Sequence, residues 1–543
     1  MASKKPAKKK IETPQTLGQR LAAWLKTYRL DVLVASVLLL IAGVVGALNM
    51  PNSPQRFEDE GTYVSQAWAV QYKGDLAHYT YWYDHPPVAW IQLAGYTALT
   101  GAFDRHASSI TAGREFMVVV HLVSVLLVFM IGRRLGIGRS VSALAAGLFA
   151  LSPLAVEFSR YVLLDNIALP WLLGAFFLAL TPRRHLLPIV GSAICMAVAI
   201  LSKETFLIFL PALAYLLWQN SDKRNRRFML ASFSVVFIAI VSFYALYALL
   251  KNELFPGEGH VSLLGTLLWQ LFGREGSGSI LGADSDARNL FNFWMDIDAW
   301  LFWAGVAAMP FAWFVRSARP FVVALAIGLI MMLRGGYLPY PYIIALLPLA
   351  AIVIGAAVHR FVVVPLLDAR KTKLVLAGKV TAGIAALALV AGFATYVVPA
   401  WQPRLQASMT EDVDKSSRQA VDWINKHVTR DKRMVVESAL WTDLQDKGFN
   451  KPDPVWLYKT ETDPEVAAEI SGWQSIDYIV LNGPTLDERN RKEFPTVFEA
   501  KDHAKLVADF GQDNQRILVL KVDKSGTVHT PKKDASSTPK SEK

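Results

Sequence analysis

A single cysteine, Cys195, stands in a chain of 543 residues, so no disulfide can form within it. It lies in the apolar run LLPIVGSAICMAVAIL with nothing ionisable beside it, and reads as a small buried apolar residue. Charge is also scarce: Asp, Glu, Lys and Arg make up 19% of the chain against 53% apolar residues, which excludes an ordinary water-soluble enzyme. The basic start MASKKPAKKKIETPQTLGQR runs too far ahead of the first apolar run for a signal peptide, and no small-residue cleavage site follows that run. The first helix is therefore expected to be retained. The two halves share no repeat, which weighs against a transporter or lipid flippase, the alternative function class.

Long apolar runs and aromatic rings are abundant. Mean hydropathy is +0.30, and 16 Trp, 28 Phe and 17 Tyr give the aromatic load found at membrane boundaries. Runs long enough to cross a bilayer fall near 30–48, 114–131, 140–158, 166–181, 186–201, 205–218, 228–250, 299–315, 320–333, 342–358 and 374–398, about eleven spans. The net charge of +11 does not point to nucleic acid, because the cations gather between apolar runs: RRLGIGR at 133–139, RR at 183–184, KRNRR at 223–227, RSAR at 316–319 and ARKTK at 369–373. These alternate connections are expected on the cytoplasmic side together with the N-terminus. An odd number of spans then places everything after about residue 399 outside the cytoplasmic membrane.

The expected architecture is an all-α multi-pass membrane domain with a small extracytoplasmic α/β domain at its C-terminal end. Residues 1–29 form a basic cytoplasmic segment, 30–398 the membrane domain, 399–523 the α/β domain and 524–543 a disordered basic tail. In the α/β domain SSRQAVDWINKHV reads as an amphipathic helix, and RMVVES, IDYIVLN and RILVLKV as strands. Two external loops, 49–113 and 251–298, are long; aromatic and apolar spacing in the first suits helices lying along the interface.

The ionisable groups of interest all fall on the external side. Arg56, Glu58, Asp59 and Glu60 follow the first span, His85 stands in the rigid YDHPPVAW turn, and Arg160 and Asp165 flank SRYVLLDN. Lys203 and Glu204 separate two spans, and Arg334 precedes the Tyr–Pro entry RGGYLPYPYIIALLP with Tyr337, Tyr340 and Tyr342. Taken one at a time, a snorkelling cation, a helix-capping aspartate and belt tyrosines would explain them. Their coincidence on one face suits transfer of a group from a phosphate leaving group to a hydroxyl. A carboxylate takes the hydroxyl proton, while cations, with a divalent metal held by other carboxylates as a further candidate, stabilise the departing phosphate. A lipid-linked donor would account for building such a site in a membrane. A scaffold or sensor reading of residues 399–523 leaves these carboxylates unexplained.

In order, the acidic pair Asp59–Glu60, YDHPPVAWIQLAGYTALTG, SRYVLLDNIALPW, LSKETFLIFLPAL and RGGYLPYPYIIALLP resemble the GT-C superfamily of polyprenyl-phosphate-sugar-dependent glycosyltransferases. The likeness covers roughly residues 30–350 and is nearest to the branch holding protein O-mannosyltransferases and the aminoarabinose transferases of lipid A. It implies a GT-C-type membrane domain and an inverting transfer of mannose or another hexose or pentose from a polyprenyl-phosphate donor. The catalytic residue would be Asp59 with Glu60 beside it. Lys203 and Arg334 would hold the donor phosphate, assisted by Arg160, His85 and Tyr342; Asp165 would sit by the phosphate or a metal. His85-Pro86-Pro87 departs from the Lys-Pro-Pro common in the aminoarabinose transferases, and the tail domain does not resemble MIR domains. The acceptor, whether protein, lipid or wall glycan, stays open.

Overall fold

The computed structural model describes residues 17–75, 83–181, 185–257, 260–370 and 372–525. The basic start as far as residue 16, the arginine pair 183–184, Lys371 and the tail beyond residue 525 lie outside the described residues.

Among the described residues six helical segments are each long and apolar enough to cross a membrane: Leu25–Ala47, Ser109–Arg134, Arg226–Leu250, Arg316–Leu333, Tyr340–Leu367 and Lys373–His427. A seventh crossing arises if Arg139–Leu151 and Pro153–Arg160, bent by 59°, are counted as one. Leu164–Ala179 and Leu186–Ser202 are apolar but shorter, so length and composition establish several spans and not the full expected eleven. Outward faces of the long helices carry Leu40, Ile238, Leu387 and Val390, each more than half exposed, an apolar exterior that lipid rather than water would cover.

The helices stop where the sequence has punctuation. Pro153 starts a new helix behind Ser152, whose hydroxyl accepts from the Ala155 amide at 3.4 Å. Leu186–Ser202 ends at Lys203, which is extended at φ −155° and ψ 112°, and the chain resumes as a 3-10 turn over Glu204–Phe209. Arg334 likewise follows the last turn of Arg319–Leu333, and Pro339 and Pro341 delay the next helix to a 3-10 start at Tyr340–Ala345. These interruptions place Lys203 and Arg334 at helix ends facing one cavity.

The first long loop carries the helices Glu58–Tyr72 and Val88–Thr100, with Gly101 at φ 64° closing the second in the left-handed conformation. At the other end of the chain, helix Val398–Thr410 continues from the preceding apolar helix, so the expected boundary at 399 falls inside a helix. Beyond it come the helix Lys415–His427 and a mixed five-stranded sheet. The strands are β1 (Met434–Val436), β2 (Val455–Trp456), β3 (Tyr478–Asn482), β4 (Ala504–Phe510) and β5 (Ile517–Val522), in the order β2-β1-β3-β5-β4. The pairs β1–β2 and β1–β3 are parallel; β3–β5 and β4–β5 are antiparallel. β1 is buried along its whole length, as a central parallel strand should be. On the edge, β4 alternates and carries an irregularity between Leu506 and Ala508.

Sheet domain and first loop lock together through buried charge. Arg56 donates to both oxygens of Asp414, at 2.9 Å from Nη2 and 3.1 Å from Nε, and to Asp443 at 2.8 Å. Asp443 also accepts from the Ser109 amide at 2.7 Å. Gly61 lies so close to the following helix, Ser438–Asp446, that a Cβ would stand 2.1 Å from the Ala439 nitrogen. Arg56 is thus a seam residue between the two regions, and the seam carries one wall of the cavity.

Candidate active site

A cavity of about 1040 Å³ opens between the membrane helices, the first loop and the sheet domain. Asp59, in the first turn of Glu58–Tyr72, lines it. Burial raises the Asp59 carboxyl above the ordinary aspartate value, Lys203 and His85 pull it back down, and Asp84 adds to the rise. The Asp59 carboxylate therefore feels cations on one side and carboxylates on the other.

Among the cationic groups, Lys203 is 4% exposed, and its Nζ stands 2.9 Å from His85 Nε2. An ammonium group only donates, so Nε2 accepts, and Nδ1 carries the hydrogen that it donates to Glu204 at 3.0 Å. His85 is thereby held in one tautomer, with its carbonyl accepting from the Tyr244 hydroxyl at 3.1 Å. Tyr83, two residues earlier, adopts a left-handed φ of 61° that a bulky side chain rarely takes; its hydroxyl is anchored on Glu253. Arg274 stacks over the Tyr337 ring at 3.3 Å from the centroid, and Arg334 completes the cationic lining. Leu207, Ile208, Met331 and Leu338 line the same end. Tyr342 is there too, donating to the Gly328 carbonyl at 3.1 Å.

At the other end stand Glu58 and Asp84 with Tyr458, Thr462, Glu493 and Phe494 of the sheet domain. Burial first, and the adjoining Glu437 second, push the Glu58 carboxyl well above the usual carboxylate range; the protonated acid is hydrogen-bonded to Glu437, itself raised by burial. Glu437 is fixed by the Asn482 amide at 2.6 Å.

The cavity gathers Asp59, His85, Lys203, Arg334 and Tyr342 of the expected residues, but not all of them. Glu60 is fully buried away from it, in a bidentate pair with Arg114 at 2.8 and 2.7 Å that also accepts from the Val162 amide at 3.1 Å. Helical geometry turns consecutive side chains about 100° apart, so the neighbour of a cavity residue faces the core. Arg160 is corrected in the same way: it donates to the carbonyls of Val45, Leu48, Ser53 and Ser408 and so ties the first helix and loop to helix Val398–Thr410. Asp165 is buried in the first turn of Leu164–Ala179, within electrostatic reach of Lys203 and His85 but outside the cavity lining. Among the described residues no three His, Cys, Asp or Glu side chains converge as a metal site.

Glu58, given no role in the sequence analysis, proves to be a cavity residue, and Arg274, Asp84 and the sheet-domain wall join it. Arg274 lies in the long loop 251–298, and Asp84 directly precedes His85. For Tyr458 and Glu493 the sequence holds no signal, because only the domain seam brings them to the cavity.

Residues 84–248 match the family model described as dolichyl-phosphate-mannose-protein mannosyltransferase. Among solved structures, ArnT from Cupriavidus metallidurans bound to undecaprenyl phosphate superposes with a TM-score of 0.58 at 17% identity, covering 93% of this chain and 100% of that one. The archaeal oligosaccharyltransferase AglB from Archaeoglobus fulgidus, in complex with an inhibitory peptide and a dolichol-phosphate, gives 0.55 at 13% identity over 90% of this chain and 75% of that one. No curated protein sequence matches the chain significantly. The chain thus shares the fold of these two proteins.

Proposed function

We propose that this GT-C chain is a membrane glycosyltransferase that moves a sugar from a polyprenyl-phosphate donor to an acceptor hydroxyl on the outer face of the cytoplasmic membrane, with inversion. The observation that carries the reading is Asp59 itself, a carboxylate that lines one cavity together with the Lys203 and Arg274 charges and with the carboxyl groups of Glu58 and Asp84. Donor phosphate sits against Lys203, Arg274 and Arg334. The polyprenyl chain leaves along Leu207, Ile208, Met331 and Leu338, toward the lipid that Leu207, 51% exposed, already faces. Undecaprenyl phosphate and dolichol-phosphate in the two similar structures support a lipid phosphate as the donor's leaving half.

In the reaction, Asp59 accepts the proton of the acceptor hydroxyl. The acceptor oxygen bonds to the anomeric carbon from the face opposite the phosphate, the bond from that carbon to the phosphate oxygen breaks, and its electron pair leaves on the polyprenyl phosphate. Lys203, with His85 and Glu204 holding its position, and the two arginines stabilise the charge as it develops there. No step is routed through a metal.

Eleven passes with a cytoplasmic N-terminus are part of the same proposal. Arg133 and Arg139 both pair with Asp31, at 2.8 and 3.0 Å, at the helix ends remote from the cavity, as a cytoplasmic basic cluster should. The test is to supply the purified protein in proteoliposomes with polyprenyl-phosphate hexose and pentose donors and to measure release of free polyprenyl phosphate. Release from one donor, with the opposite anomer in the product, supports the reading; no turnover of any such donor, alongside envelope glycans unchanged by loss of the gene, refutes it.

A further inference from the structure

The cavity divides its charges by origin. Its cationic groups, Lys203, Arg274 and Arg334, all come from the membrane helices and their loops, as does His85. The sheet domain contributes Tyr458, Thr462, Glu493 and Phe494, of which the one ionisable carboxylate is Glu493, and no cation. Of the basic residues beside that wall in sequence, Lys459 pairs with Asp463 at 3.1 Å, Arg491 pairs with Glu488 and Asp502 at 2.7 and 2.9 Å, and Lys492 is exposed outside the cavity lining.

A second feature lies at the same end. Two carboxyl oxygens among the described residues are buried with no hydrogen-bond partner, Glu58 Oε1 and Asp84 Oδ1, and both residues line this cavity. A buried acceptor atom left unpaired is costly, so a pair of them on residues lining one cavity marks a place where a ligand supplies donors. The Glu58 acid already uses its proton on Glu437, which leaves Oε1 as an acceptor only.

We propose that the sheet-domain wall is the acceptor subsite, and that it selects an acceptor whose hydroxyl is accompanied by an ammonium group and disfavours an anionic one. The ammonium supplies N–H donors to Glu58 Oε1 and Asp84 Oδ1 and a positive charge opposite Glu493, while the Phe494 and Tyr458 rings offer apolar faces to the body of the acceptor. The acceptor hydroxyl is then delivered to Asp59 from the side opposite the phosphate. This subsite rests on the donor-phosphate reading above for its orientation, but its ligand selectivity can be measured without turnover.

The test uses the full chain in nanodiscs, with saturating polyprenyl phosphate, and three alkyl glycosides of one chain length: octyl glucosaminide, octyl glucoside and octyl glucuronide. The glucosaminide is expected to bind about tenfold tighter than the glucuronide, with the glucoside between them. Glu493→Gln should cut that ratio about threefold and Glu493→Lys should invert it, both leaving polyprenyl phosphate affinity unchanged. Glu493 is exposed in a turn, and among the described residues its carboxylate makes no hydrogen bond or ion pair, so these variants keep the fold. Equal binding of the three glycosides, or a preference that ignores both substitutions, overturns the subsite. Selectivity that survives while no donor is turned over leaves the subsite standing and overturns the catalytic reading alone.

Discussion

Glu60→Gln separates a structural carboxylate from a catalytic one. Glu60 and Arg114 are 0% and 1% exposed, and their two short bonds bring the charge centres to about 4 Å, where opposite unit charges attract by about 4 kcal/mol at an effective dielectric of 20. Removing the charge leaves the Arg114 guanidinium buried against an amide oxygen and the Met50 carbonyl, which it reaches at 2.8 Å. The expected cost is about 3–5 kcal/mol. Thermal unfolding followed by tryptophan fluorescence in detergent should show a transition several degrees lower, while turnover per folded molecule, measured below that transition, stays near wild type. The double variant Glu60→Leu/Arg114→Met, which removes both charges, should recover most of the lost stability. A Glu60→Gln protein with wild-type unfolding and no turnover would refute this reasoning and return Glu60 to the chemistry.

Other outcomes follow from the same geometry. Lys203→Met removes a charged donor from the phosphate and strands His85 Nε2, so polyprenyl phosphate binding, read by fluorescence titration, should weaken about tenfold or more. Because the Asp59 carboxyl lies above the ordinary aspartate value and must be ionised to accept a proton, turnover should rise with pH on a limb displaced upward from that value; a limb at or below it contradicts the assignment. Glu58 is shifted the same way: the folded chain holds a proton that the unfolded chain releases, so stability falls as pH climbs from the ordinary glutamate value toward the raised one. Glu437→Gln, which removes the competing charge, should flatten that fall in unfolding experiments run across the range.

Legibility in the sequence followed the range of each interaction. Apolar runs and proline breaks act locally, and they announced several membrane-length helices, the Tyr–Pro entry at Tyr340, and the strands β1, β3 and β5. The two-residue β2 and the alternating edge strand β4 carry too weak a pattern to be read. Glu60 and Arg160 were misread because their partners, Arg114 in one case and four backbone carbonyls in the other, are distant in the chain. A buried charge in a sequence looks the same whether it is satisfied by the protein or reserved for a ligand. Glu58 shows the converse: its partner Glu437 lies beyond the last membrane helix, and only the Arg56 and Gly61 seam brings the two together.

Asp59→Asn, assayed with a polyprenyl-phosphate sugar donor in proteoliposomes, puts the central claim to its most direct test. The side chain keeps its size and loses the ability to take a proton, so turnover should fall about 100- to 10,000-fold while polyprenyl phosphate affinity and thermal stability are retained or slightly improved. Wild-type turnover in that variant, or loss of turnover only in step with loss of lipid phosphate binding, would contradict the assignment of Asp59 as the base.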